Sequence, residues 1–264
     1  EIRPPQVQNR MWRTATFEDS LGYHLTPYKF YFKKGRNTIK LVAMSEPMGI
    51  KHIKIFQKDE TENYESVINE YENKGYQPTE EKFIKVQAED AVYRSEKTLF
   101  PIFDRGDPSL EPYHPANMRL NSIGGYRWES PGQWIKWKFD IDEPGLYNIS
   151  FKAKQDQERG ISSHRQIRLD GKIPFSQLRS IPFQYSSYYK MRTLGDNKKE
   201  YGKPYLFYLD KGTHTVSMKI VLGDLAKYIR ELEDELYDMN AIYRRIIMIT
   251  SPTPDPLRDY QLEK

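Results

Sequence analysis

The sequence predicts an all-β fold: an antiparallel jelly-roll β-sandwich with one long helix inserted before its last strand. Three observations carry this expectation. Short β-rich segments bounded by turn residues recur through the second half of the chain. Within Gln133–Ile141, Trp134, Lys136 and Lys138 alternate with Ile135, Trp137 and Phe139, as a half-buried strand requires. Between Asp224 and Tyr243 the apolar residues step by four and three instead, which marks an amphipathic helix.

The predicted strands are Phe83–Glu89, Gln133–Ile141, Leu146–Ala153, Arg165–Leu169, Tyr205–Leu209, His214–Val221 and Arg245–Ile249. Pro144-Gly145, Asp170-Gly171 and Lys211-Gly212 supply turns between them. Many short antiparallel strands with tight turns point to a sandwich or jelly roll. The helix, with Leu225, Ile229, Leu232, Leu236, Met239 and Tyr243 on one stripe, either packs on the side of its own sandwich or docks a neighbouring domain. A single helical stripe usually finds the nearest core, which favours the first.

An internal repeat organises the chain. Pro27-Tyr28-Lys29-Phe30-Tyr31-Phe32-Lys33-Lys34-Gly35 matches Pro204-Tyr205-Leu206-Phe207-Tyr208-Leu209-Asp210-Lys211-Gly212 at an offset of 177 residues. Pro5 with Pro182, Trp12 with Tyr189 and Asp19 with Asp196 keep the same offset, so two related units are expected. Residues 1–57 read as the back half of a first module, with strands at Tyr28–Phe32, Thr38–Ala43 and His52–Phe56. Their apolar side chains, Phe30, Phe32, Ile39 and Leu41 among them, need a partner sheet. They are expected to lean on the second module or the linker, or to pair with a chain carrying the missing front half or a second copy. Residues 58–81 read as a helical linker: Tyr64, Val67, Ile68 and Tyr71 share a face, Asp59 with Glu62 suits a capping box, and Gly75 a C-terminal stop. Residues 82–251 form the second sandwich, and residues 252–264 a tail or linker to a following domain. The chain opens at Glu1 rather than Met, and is expected to be a piece of a longer protein.

Composition narrows the function. Hydrophobic residues make up 38% of 264, yet aromatics reach 14%, with 20 Tyr, 12 Phe and 4 Trp. A disordered chain has few aromatics, so this chain folds. Charges are interspersed and sum to +4, without the basic patch a nucleic-acid partner needs. The absence of cysteine excludes disulfides and thiolate metal sites. No nucleophile elbow, phosphate-binding loop or dinucleotide fingerprint is present.

Several phrases together resemble carbohydrate-binding modules of families 6 and 35. They are Val86-Gln87-Ala88-Glu89-Asp90-Ala91, Gly124-Gly125-Tyr126, Trp134-Ile135-Lys136-Trp137, Pro144-Gly145-Leu146-Tyr147-Asn148-Ile149, Leu169-Asp170-Gly171 and Lys211-Gly212-Thr213-His214-Thr215-Val216, in that order. Ile2-Arg3-Pro4-Pro5-Gln6-Val7, Arg119-Leu120-Asn121-Ser122-Ile123-Gly124-Gly125 and Pro254-Asp255-Pro256-Leu257-Arg258-Asp259-Tyr260 resemble the N-terminal region of large extracellular solute-binding lipoproteins of Gram-positive sugar ABC transporters. The resemblance implies a jelly-roll fold, a polysaccharide-related role, anchoring at the cell surface and a downstream transport-type domain in the same protein. It departs where those modules often carry a calcium-holding Asp in the last strand, since Arg244-Arg245-Ile246-Ile247-Met248-Ile249 has no carboxylate.

Sugars stack their C–H faces on aromatic rings and bond hydroxyls to polar side chains. The candidate oligo- or polysaccharide-binding residues are therefore Tyr126, Trp128, Trp134, Tyr185 and Tyr188, with Gln155 and Arg165 as polar partners. Trp128 lies in a turn-rich stretch and is expected to face solvent, whereas Trp134 serves a core equally well. The loop Asp104–Glu111 is rich in carboxylates; Asp104 and Asp107, with Glu89, are candidate ligands for a structural calcium, and a solvated charged loop is the alternative. No other cofactor is expected. The leading expectation is non-catalytic carbohydrate binding. Its rivals are a structural segment that docks the transport domain through the long helix, and a polysaccharide-active enzyme with paired carboxylates.

Overall fold

The computed structural model describes residues 12, 14–19, 22–24, 26–42, 49–57, 61–79, 83–157, 159–196 and 202–261. Within them the order is α1 (Tyr64–Asn73), β1 (Tyr93–Arg94), β2 (Pro101–Ile102), β3 (Ser122–Ile123), β4 (Trp134–Ile141), β5 (Gly145–Tyr147) and β6 (Ser150–Gln155). Then come β7 (Ser163–Leu169), β8 (Ile181–Phe183), β9 (Ser186–Thr193), β10 (Phe207–Leu209), β11 (Gly212–Val221) and α2 (Leu225–Thr250). The chain is thus mostly antiparallel β-sheet, with a helix on either side in sequence.

The alternation in β4 sets the main sheet. Strands run β1-β4-β11-β7-β8, antiparallel throughout. Register brings Ile135 opposite Met218, and Met218 opposite Ile167, so one apolar row crosses three strands. All three side chains are buried. The stretch from β5 to β6 pairs first with β10 and then with β9. Phe151, Ala153 and Phe207 from these strands join Ile135, Trp137 and Ile167 in one core. The expected strands at β4, β7, β10 and β11 form with shifted ends, and Leu146–Ala153 divides into β5 and β6.

Four expectations change. Phe83–Glu89 is not a strand: β1 takes the edge of β4 instead, and Ala88–Asp90 forms a 3-10 turn whose Ala88 carbonyl accepts the Trp137 indole N–H at 2.8 Å. The linker helix exists, but Asn63 caps it by accepting the Ser66 N–H; Asp59 lies outside the described residues. Gly75 follows the helix at φ 70°, the left-handed stop expected there. This helix is no free spacer. Val67 is buried, Tyr64 and Tyr71 pack on the core, and Tyr76 stacks on Tyr208 at 3.6 Å.

The third change is at the C-terminal end. Arg245–Ile249 continues α2 rather than forming a last strand. No turn residue separates Tyr243 from Ile249, so the backbone ladder carries on despite the β-branched isoleucines. Nor does the α2 stripe pack on the sheets: Leu232, Leu236, Met239 and Tyr243 are exposed.

The fourth is the first unit. Over the described residues of Tyr28–Phe32, Thr38–Ala43 and His52–Phe56 no strand forms; Ala43 itself lies outside them. Phe30, Ile39 and Leu41 are exposed. The repeat explains why. The matching residues of the second unit are β10 and the start of β11, whose partners are β5, β4 and β7, and among the described residues no strand pairs with residues 28–42. Lone strands gain little in water. A turn survives, where Asn37 Oδ1 accepts the Lys33 N–H at 3.2 Å. Ionic contacts join this segment to the main sheet. Glu18 meets Arg168 at 2.7 Å and Lys219 at 3.4 Å.

Candidate functional site

A register shift in the β6–β9 ladder builds a half-open concavity. Ala153 pairs with Lys190 and Gln155 with Ser186. Between these pairs, Ser187, Tyr188 and Tyr189 stand against the single residue Lys154. Such a bulge bends a strand and re-aims its side chains. The loop after β2 closes the other side. Asn121 pins that loop, accepting the Asp104 N–H and donating to the Asp104 carbonyl, both at 2.9 Å. Buried Leu110 anchors its far end.

The concavity holds about 450 Å³ and is lined by Asp104, Gly106, Asp107, Ser109, Lys154, Ser187, Tyr188 and Tyr189. That volume suits a small ligand. Lys154 Nζ lies 3.0 Å from Asp104 Oδ2 and 3.3 Å from Asp156 Oδ2, and 5.0 Å from the centre of the Tyr189 ring. The Tyr189 hydroxyl meets Ser122 Oγ at 3.1 Å. Asp107 Oδ1 accepts from the Ser109 N–H at 2.9 Å and from its hydroxyl at 2.5 Å, and Lys152 Nζ donates to Ser109 Oγ at 2.9 Å. Tyr188 is 57% exposed as a residue, with Lys190 Nζ 4.7 Å from its ring centre.

Electrostatics fix the charge states. Burial pushes the Asp104 carboxyl upward, but the Lys154 ammonium and the Gly106 N–H outweigh it and hold it below its ordinary value. Hydrogen bonds from Ser109 hold Asp107 low as well. Burial opposes the charge on Lys154, yet its two carboxylate partners raise its pKa. Burial raises the Tyr189 phenol, which stays neutral. The floor therefore presents fixed carboxylates, an ammonium, hydroxyls and the Tyr188 ring, which keeps one face beside Lys190.

Of the residues singled out from sequence, Asp104, Asp107 and Tyr188 meet here. Tyr185 is exposed just before β9 but does not line the concavity. Gln155 Nε2 donates to the Ile161 carbonyl at 3.1 Å and closes its own loop. Trp134 lies half-buried on β4 with Lys136 Nζ 5.8 Å from its ring. Trp128 does not face solvent openly: it is half-buried, packs on the core, and has the Arg165 guanidinium 4.7 Å from its ring. Arg165 is thereby occupied, and burial lowers its pKa to about 10. Tyr126 is 61% exposed, with Arg127 at 4.4 Å from its ring. Turn-rich surroundings did not leave Trp128 open, because its side chain packs on the core under Arg165.

The calcium expectation finds no cluster. Among the described residues no group of three or more His, Cys, Asp or Glu is placed to hold a metal ion. Asp104 is bound to Lys154, Asp107 to Ser109, and Glu89 is absent from the concavity. Burial raises the Glu89 carboxyl. Sequence reasoning missed Lys154; Ser187 and Tyr189 lie in the aromatic, polar stretch Gln184–Tyr189 and Ser109 in the loop Asp104–Glu111. The Tyr188-Tyr189 pair was a signal; the register shift that gives Lys154 its place was not.

Comparison with known proteins adds little. No family profile and no curated protein matches the chain. A Paenibacillus sp. cycloisomaltooligosaccharide glucanotransferase complexed with cycloisomaltoheptaose is similar at 17% identity and a TM-score of 0.38, over 62% of this chain and 21% of that one. A ruminal GH26 endo-beta-1,4-mannanase is similar at 16% identity and a TM-score of 0.31, over 53% of this chain and 24% of that one. This chain spans only about a quarter or less of either enzyme, and at such scores neither likeness carries an argument about fold or function.

Proposed function

We propose that the chain is a non-catalytic carbohydrate-binding segment, a jelly-roll-like module that holds an oligo- or polysaccharide between β9 and the loop after β2. One observation carries this: the Tyr188 ring stands exposed at a concavity whose other walls are charged and hydroxyl groups already held in place. A pyranose has the matching chemistry. Its C–H face covers an aromatic ring, and its hydroxyls bond carboxylate, ammonium and hydroxyl groups in turn. Asp104 and Asp107 accept, Lys154 donates, and Ser187 and Ser109 do either.

The charge states argue against glycoside hydrolysis here. A glycosidase keeps one carboxyl protonated at neutral pH by raising its pKa. Both carboxyls lining the concavity are held low instead. The phrases resembling sugar-transport lipoproteins support a cell-surface setting beside a transport-type domain. A glycan array probed with this chain tests the proposal. Retention on a defined set of glycans supports it, and no retention on plant, bacterial or storage polysaccharides would sink it.

A further inference from the structure

We propose that the gap between the two β-layers beside β9 is an oxyanion site, in which the Arg192 guanidinium grips a phosphate, sulfate or carboxylate group. This stands apart from the saccharide reading, because Arg192 does not line the concavity.

The β6–β9 ladder gives Arg192 its place. Arg192 pairs with Phe151, and directly opposed residues share a face. Phe151 packs on the core, as does Ala153, the partner of Lys190. Arg192 therefore stands on the core-facing side of its sheet, with its guanidinium 5.1 Å from the centre of the Phe183 ring of β8. The ring attracts the cation but offers its N–H groups no oxygen. Arg192 Nε and Nη2 are buried and make no hydrogen bond. These two atoms form one edge of the guanidinium, whose parallel N–H groups fit two oxygens of a single oxyanion.

A second cation stands nearby. Ser163 faces Phe183 across the β7–β8 pair, and Arg165 Nη1 donates to Ser163 Oγ at 2.5 Å and to the His164 carbonyl at 3.0 Å. Arg165 is thus held in place and adds positive field rather than a contact. Burial lowers the pKa of both guanidiniums, and among the described residues no carboxylate acts on either. Arginine does not give up its proton in compensation, so two like charges stay in a gap partly closed to water. A buried charge without a partner is costly, and a bound oxyanion supplies the partner. Lys190, two residues earlier on the same face, is exposed. It borders the way in, and its side chain swings aside to admit the ligand.

Isothermal titration of the whole chain with inorganic phosphate and with sulfate tests this, alongside glucose 6-phosphate set against glucose. Saturable binding of phosphate or sulfate supports a free oxyanion as the ligand. Binding of glucose 6-phosphate, with neither inorganic ion nor glucose bound, supports an oxyanion carried on a sugar. No binding of phosphate or sulfate, with glucose 6-phosphate no better than glucose, overturns the proposal. Arg192→Lys keeps the charge but loses the paired N–H edge, and should weaken binding about tenfold or more. Arg192→Met should abolish it, yet melt no lower than wild type in anion-free buffer, because it removes an unpaired buried charge. Unchanged affinity in either variant overturns the assignment to Arg192. A marked loss of stability in Arg192→Met overturns it too, since the guanidinium would then be satisfied within the fold.

Discussion

Lys154 and Asp104 are joined at 3.0 Å across the floor of the concavity, linking the β6 bulge to the loop after β2. The pair is less than a quarter exposed on either side, so water screens it only in part. Asp104→Asn removes the carboxylate charge and leaves Lys154 with Asp156. A stability loss of about 1 kcal/mol is expected by chemical denaturation, with a larger relative loss of glycan affinity.

The same pair sets an acid limit. The folded pKa of Asp104 lies below its ordinary value, so its contribution is present above the unfolded carboxylate pKa near 4 and is lost as pH falls through the folded value. Melting temperature should decline below about pH 4, and less steeply in Asp104→Asn. Equal acid slopes in the two proteins would show the pair to be inert.

His214 acts with the opposite sign. Burial disfavours its charged form, but Asp170 Oδ2 at 2.7 Å and the Asp210 carbonyl at 2.8 Å favour it more, and the pKa rises. Its contribution is therefore full below the unfolded histidine pKa near 6.5 and disappears as pH rises through the folded value. The melting-temperature difference between wild type and His214→Gln should shrink from pH 6 to pH 8. An NMR titration placing His214 below the free-histidine value would contradict this.

Glu18 fastens the first unit to the main sheet. Burial raises its carboxyl, and Arg168 and Lys219 outweigh that and lower it. Glu18→Gln should speed limited proteolysis within residues 26–42 and cost about 1 kcal/mol or less. An unchanged cleavage rate would mean that the ion pairs do not hold the segment.

The row Ile135–Met218–Ile167 carries the core. Ile135 and Ile167 are fully buried, and a cavity at either site removes contacts on three strands. Ile167→Ala should cost about 2–5 kcal/mol by urea unfolding.

How much of this was legible in the sequence depended on what each residue answers to. β4 and β11 were readable because alternation records which face is buried, and burial there is decided within the strand itself. The helical stripe of α2 was readable too, but its end was not. Ile246, Ile247 and Ile249 have strand propensity, and only the continuous backbone ladder keeps them helical. The strands expected at Tyr28–Phe32 and Thr38–Ala43 have the right residues and no partner beside them; pairing is not a property of one segment. At the site, Asp104, Asp107 and Tyr188 could be picked out by chemistry. Lys154 could not, since a single register shift between Ala153 and Gln155 decides where it stands. Trp128 looked available because of its glycine- and proline-rich neighbourhood, and Arg165 from a distant strand covers it.

The most direct measurement is isothermal titration of a glycan retained by the wild-type chain against Tyr188→Ala and Trp128→Ala. The account predicts a loss of about tenfold or more, near 1.4 kcal/mol, for Tyr188→Ala and affinity close to wild type for Trp128→Ala, provided the latter remains folded. Unchanged affinity in Tyr188→Ala would contradict the assignment of the site between β9 and the loop after β2.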